Sequence, residues 1–202
     1  MANINIKIME SDDAIQKQIN AALSGAVNKR LAKAVNRIKS AIIPIVKGAL
    51  MSSHEISSLK SGILRAEFGL TGDPTSQIIS AIVGSLDVRL QRVNKNLKGG
   101  FLLEMQPTDF SNLLTLSSAE QPIEGGSIPW LSWLLTAGDS IIIANFGVEL
   151  GSHGRTGQAR MSSRFAPYKV NSSFSGTPDN NFITRAIEGV YPQIKEVIRK
   201  EL

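Results

Sequence analysis

The stretch SDDAIQKQINAALSGAVNKRLAKAVNRIKSAIIPIVKG, Ser11 to Gly48, decides the fold. Ser11-Asp12-Asp13 supplies an N-cap followed by acidic first-turn residues, which suit the positive end of a helix. Apolar residues then recur at Ile15, Ile19, Leu23, Val27, Leu31, Val35, Ile38, Ile42 and Val46, with Ala22, Ala26 and Ala34 widening the stripe. Most steps are four residues. Since this exceeds 3.6, the stripe winds around a straight helix and meets more than one partner surface. Lys29, Arg30, Lys33 and Arg37 form a basic face beside it. Pro44 is expected to end or kink the helix near Ile43. A helix of about 30 residues spans some 45 Å. That is long for a 202-residue chain, and it suggests an element shared between subunits.

On either side of this helix the pattern changes. Ile4, Ile6 and Ile8 alternate with polar residues, so residues 1–10 read as a short strand or extended arm. Residues 52–68 read as a second helix. Residues 78–83 are apolar throughout and can open as helix, and a hairpin follows from about 84 to 106, its return strand announced by Gly99-Gly100. Gln121–Ser127 reads as a loop. Residues 129–137 form a short helix opened by Pro129, and residues 141–150 form a strand. Gly151–Arg164 reads as a Gly/Arg/Ser loop, with a short apolar interruption at Ala159 and Met161. Thr177 as N-cap and Pro178 at the first position are expected to start a last helix, 177–202, which Pro192 kinks.

The expected fold is therefore α+β: one domain, 1–202, with a long N-terminal and a C-terminal helix packed on a central antiparallel sheet of about four strands. Its parts are an arm (1–10), a helical segment (11–68), a β-rich core (78–164) and the C-terminal helix (177–202). There is no βαβ alternation and no internal repeat.

Composition narrows the chemistry. With 42% hydrophobic and 19% charged residues the chain can bury a core. It has no cysteine, which excludes disulfides, thiolate metal sites and cysteine nucleophiles. Two histidines, His54 and His153, cannot make a histidine-rich metal centre. Neither lies in a triad-like context; His54 reads as a helix-start residue and His153 as a loop residue. Gly151-Ser152-His153-Gly154-Arg155-Thr156-Gly157 is glycine-rich but lacks the lysine of a phosphate-binding loop. No catalytic, cofactor-binding or metal-binding residue is assigned, and no cofactor is expected. No signal peptide or membrane-spanning run is read, so a soluble, intracellular chain is expected.

The net charge of +5 is unevenly placed: +5 over 1–50, −3 over 51–139 and +3 over 140–202. Such segregation suits nucleic acid, or subunits that meet basic face to acidic face. Arg155, Arg160 and Arg164, with Lys169, lie in a stretch without an acidic residue from Gly151 to Asp179. They are candidates for docking a partner's acidic rim, or phosphates. Trp130 and Trp133, on a helix apolar at nearly every position, are candidates for a core anchor or a subunit interface.

Three motifs carry a resemblance. They are Arg155-Thr156-Gly157 after a strand, with Gly154 before it; Gly176-Thr177-Pro178-Asp179-Asn180-Asn181-Phe182 leading into an amphipathic helix; and the block Ile128–Asp139. The region 128–202 resembles bacteriophage head–tail connection proteins, the neck or tail-completion group of the HK97 gp10-like tail component. Residues 70–127 have no counterpart in that group. The resemblance implies a structural, non-enzymatic virion protein at the neck, made in the host cytoplasm. It implies a homo-oligomeric ring, a hexamer or dodecamer, around the DNA channel, touching portal, adaptor or tail proteins and lying close to DNA. In that pattern Asn181 and Phe182 fix the turn into the last helix. A DNA-binding protein using the basic helix face and the arginine-rich stretch is the alternative.

Overall fold

A computed structural model describes residues 11–151, 154 and 156–201. The arm 1–10, His153 and Arg155 lie outside the described residues. Helix α1, Asp12–Met51, is 40 residues long, or roughly 60 Å at 1.5 Å per residue. Its N-cap is Ser11, whose Oγ accepts from the Ala14 amide at 3.3 Å. Pro44 does not stop it. Both Pro44 and Ser40, whose carbonyl loses its i+4 donor, are on the exposed face, where water replaces the missing bond.

The region expected as one helix is two: α2, His54–Ser61, and α3, Ile63–Glu67. Gly62 is extended between them, and the Ser58 hydroxyl accepts from the Leu64 amide at 3.0 Å, turning the chain. Helix α4, Thr75–Ser85, runs into strand β1, Asp87–Gln91, which pairs with β2, Gly100–Glu104. Helix α5, Ser111–Leu114, leads to a second hairpin, β3 Gln121–Ile123 and β4 Gly126–Ile128, where a loop was expected. Helix α6 is Trp130–Thr136. A third hairpin, β5 Gly147–Leu150 and β6 Ala159–Ser162, precedes the last helix, α7, Phe182–Glu201.

The class is α+β. The strand pairing is antiparallel, as expected, but among the described residues it is divided into three separate two-stranded ladders rather than gathered in one sheet. The strands are short, three to five residues each, and helices separate the three pairs along the chain. The strand expected over 141–150 is shorter because the Tyr168 amide donates to both the Ile143 and Phe146 carbonyls, bending the chain before β5.

The core gathers on α1. Leu31, Ala34, Ile38, Ile42, Val46 and Leu50 are buried, and the helix packs against α4, α7 and β1. Helix α7 runs antiparallel to it. Arg185 near its start bonds Glu55 of α2 at 2.6 Å, and Glu201 at its end bonds Arg37 at 2.5 Å. Hairpin β1–β2 lies along α1 as well. Lys39 reaches Asp87 at 3.3 Å, and the Asn28 amide closes two bonds on Val93, donating to its carbonyl at 2.9 Å and accepting from its amide at 2.7 Å. Past these contacts α1 continues to Asp12. There Ile15, Ile19, Leu23 and Val27 are 36%, 48%, 46% and 38% exposed. The stripe is continuous; its cover is not.

Candidate functional site

The two tryptophans have different surroundings. Trp130 is fully buried, tilted on Phe68 with centroids 5.5 Å apart, and its indole N–H donates to the Ser118 carbonyl at 3.0 Å. It anchors the core. Trp133, one turn on, is half-buried and tilted against Tyr168 at 6.2 Å. It lines a pocket of about 470 Å³ between α3, α6 and the β3–β4 and β5–β6 hairpins.

The arginine stretch is not one loop. Arg160 sits in β6, opposite Glu149 of β5, and their side chains pair at 2.6 Å. An exposed pair of this kind contributes little to stability, but it spends the charge that would face a partner's acidic rim. Arg164 is exposed in the turn after β6. Gly154 and Gly157 have φ of +79° and +65°, the left-handed values that shape this hairpin's turn, with Thr156 between them. A Cβ on Gly154 would also strike the Ala159 carbonyl, so no other residue fits there without displacement.

The segment 176–184 forms a cap. Gly176 passes so close to Asn181 and to the Leu134 carbonyl that a Cβ would lie 2.7 and 2.8 Å from them. Its own carbonyl accepts from the Gly138 amide at 2.9 Å. Thr177 closes a turn on the Asn180 amide instead of starting the helix. Asn181, fully buried, is the cap: its Oδ1 accepts from the Ile183 and Thr184 amides at 3.0 and 3.3 Å, and its Nδ2 donates to the Thr177 and Pro178 carbonyls. Helix α7 therefore begins at Phe182, not at Thr177. Phe182 and Ile183 are buried beside the cap. Pro192 lies within α7 on its exposed face, and the helix runs through it.

The pocket contains two residues that sequence reasoning missed. Glu67 and Tyr168 line it, and among the described residues the Glu67 Oε2 and the Tyr168 hydroxyl are buried without a hydrogen-bond partner. Burial pushes the Glu67 carboxyl up to about 7. Burial, reinforced by the charge of Glu67, pushes the Tyr168 hydroxyl up as well. The only hint in the sequence was an acidic residue next to a large aromatic, Glu67-Phe68, inside a helical pattern.

His54 opens α2 and stacks on Phe174 with centroids 4.7 Å apart, a packing contact. Among the described residues no group of three or more His, Asp or Glu side chains is placed to hold a metal ion, and no helix is long and apolar enough to cross a membrane. No family model, curated protein or solved structure matches this chain.

Proposed function

We propose that the chain is a structural virion protein of a tailed bacteriophage, assembling as a ring at the neck where head and tail join. The observation that carries this reading is the uncovered stripe of α1. Four large apolar side chains, Ile15, Ile19, Leu23 and Val27, stand exposed in line with the residues that build the core. An apolar strip of this kind usually marks a contact surface. A ring uses a head-to-tail interface, in which two different faces of one subunit complement each other. The overhanging stripe supplies one such face, and the charge division between segments gives the pair a polarity. The resemblance over 128–202 supplies the neck.

The test is assembly. Mass photometry of the purified chain should give a closed oligomer, and the I19S/L23S variant should stay monomeric with an unchanged far-ultraviolet spectrum. Virions should contain the protein by mass spectrometry, and particles made without it should show unjoined heads and tails. A wild-type chain that is monomeric at all concentrations and absent from virions would remove the proposal.

A second reading is favoured by the exposure of Lys29, Arg30 and Lys33 on α1, just past the bare stripe. It makes this face a DNA contact, either in the ring's lumen or in a free DNA-binding protein. It predicts affinity for short duplexes that falls steeply with salt. Absence of binding at low salt would dispose of it.

A further inference from the structure

The pocket beside Trp133 is built for a ligand of definite character. Its wall is apolar, with Ile128, Ile143, Val148 and Met161 among the lining side chains. Three aromatic rings, Phe68, Trp133 and Tyr168, also line it. Tyr168 is only 6% exposed, yet its hydroxyl has no partner among the described residues, and neither has the Glu67 Oε2. Buried polar atoms in that condition are costly, and a donor from water or a bound group relieves them.

The charge of that group follows from the other ionisable side chains in the lining. Arg160 is paired with Glu149 at 2.6 Å, which leaves the carboxylates of Glu67 and Glu124 facing the space. An acidic, aromatic-walled pocket attracts a cation, through the carboxylate and through the ring faces. A guanidinium asks for a fork of acceptors in one plane, whereas the buried acceptors left without a partner among the described residues are one carboxylate oxygen and one phenol oxygen. An ammonium, a compact charge with three rotatable donors, fits that set better. The apolar wall takes its aliphatic stem.

The surroundings of the mouth point to the source. Ile123 and Met161 in the lining are 40% and 43% exposed, and Leu150 and Phe165, at the end of β5 and just past β6, are 52% and 46% exposed. Exposed apolar residues around a pocket suit the flat contact of a protein surface more than a free amine. We infer that this pocket receives the side chain of a lysine presented by a partner protein, its ammonium donating to Glu67 Oε2 and Tyr168 Oη. The inference does not depend on the neck reading, since any partner with an exposed lysine beside apolar residues would satisfy it.

The experiment follows the indole N–H of Trp133 and the methyl of Met161 by NMR. The titrants are Nα-acetyl-lysine N-methylamide, the neutral norleucine analogue that keeps its four carbons without the ammonium, and n-butylammonium. The lysine diamide should shift both signals, with an affinity about tenfold above that of the norleucine analogue, as a charge-assisted bond to a buried carboxylate implies. E67Q should abolish that preference while keeping the wild-type thermal midpoint or raising it, and Y168F should weaken it. Equal response to lysine and norleucine, no response to either, or a preference surviving in E67Q would overturn the inference. So would binding of n-butylammonium without binding of the lysine diamide. The oligomeric state of the protein does not enter these readouts, so failure of the neck proposal and failure of this one are separable.

Discussion

The two halves of α1 follow one sequence rule and meet different fates. From Leu31 to Leu50 the apolar stripe is buried, under α4, α7 and β1. From Ile15 to Val27 the same four-residue step continues, and the side chains stand open. Amphipathicity tells which residues of a helix want cover; it does not tell whether the same chain provides it. The bare half measures what the monomer leaves undone.

Substitutions sharpen the contrast. Ile42 is fully buried, so Ile42→Ala should cost roughly 3 kcal/mol in urea unfolding. Removing the cation that holds α7 to α2 comes next. Glu55 has a side chain only 7% exposed, and Arg185→Ala leaves its carboxylate buried alone. The expected loss is about 2 kcal/mol, below that of a fully enclosed pair because Arg185 itself is partly solvated; adding Glu55→Gln should recover part of it. Asn181→Ala removes a buried helix cap and should cost roughly 1–2 kcal/mol. It should also loosen the first turn of α7, seen as faster amide exchange at Ile183 and Thr184.

Glu67 makes the opposite case to Asn181: it is half-buried, and its Oε2 is enclosed without a partner among the described residues. Its carboxyl titrates near 7 folded against an ordinary 4.5. Between those values the folded chain holds a proton that the unfolded chain has released. Stability should therefore fall as pH rises from about 4.5 to 7 and level off above. Thermal midpoints of the wild type and E67Q across that range should converge at the acid end and separate toward neutral. In the bare half, Ile19→Ala should change monomer stability by less than about 0.5 kcal/mol. A loss comparable to that of Ile42→Ala would mean that the overhang is covered within one chain, and the comparison would collapse.

Much of the fold could be read from local pattern. The long helix follows from the stripe and its Ser11 cap, and the first hairpin from the alternation around Val88 and the glycines before Phe101. Pro44 was expected to end or kink α1 and Pro192 to kink α7; neither ends its helix, and both face water, where the lost backbone bond is replaced. The β3–β4 hairpin was missed because its strands are three residues long and one carries Pro122; only the turn at Gly125, φ +83°, marked it. The start of α7 was placed too early because Thr177 and Asn181 are both good caps, and Thr177 is used on a turn. The arginines looked like one basic loop until pairing set Arg160 against Glu149. The pocket lies beyond such reading. Glu67 and Tyr168 are far apart in sequence, and only the packing of two hairpins over α3 makes neighbours of them.

The Asn28–Val93 clamp sits at the border between the two halves of α1, tying the helix to the chain just past β1. Amides on its C-terminal side can exchange with solvent only when the body of the protein opens. Those on its N-terminal side can exchange by fraying turn by turn from Ser11, without disturbing the core. One asparagine thus divides a single helix into two kinetic compartments. When a partner covers the bare stripe, protection should spread outward from residue 28 toward the N-terminus, so the clamp is the origin from which assembly can be timed.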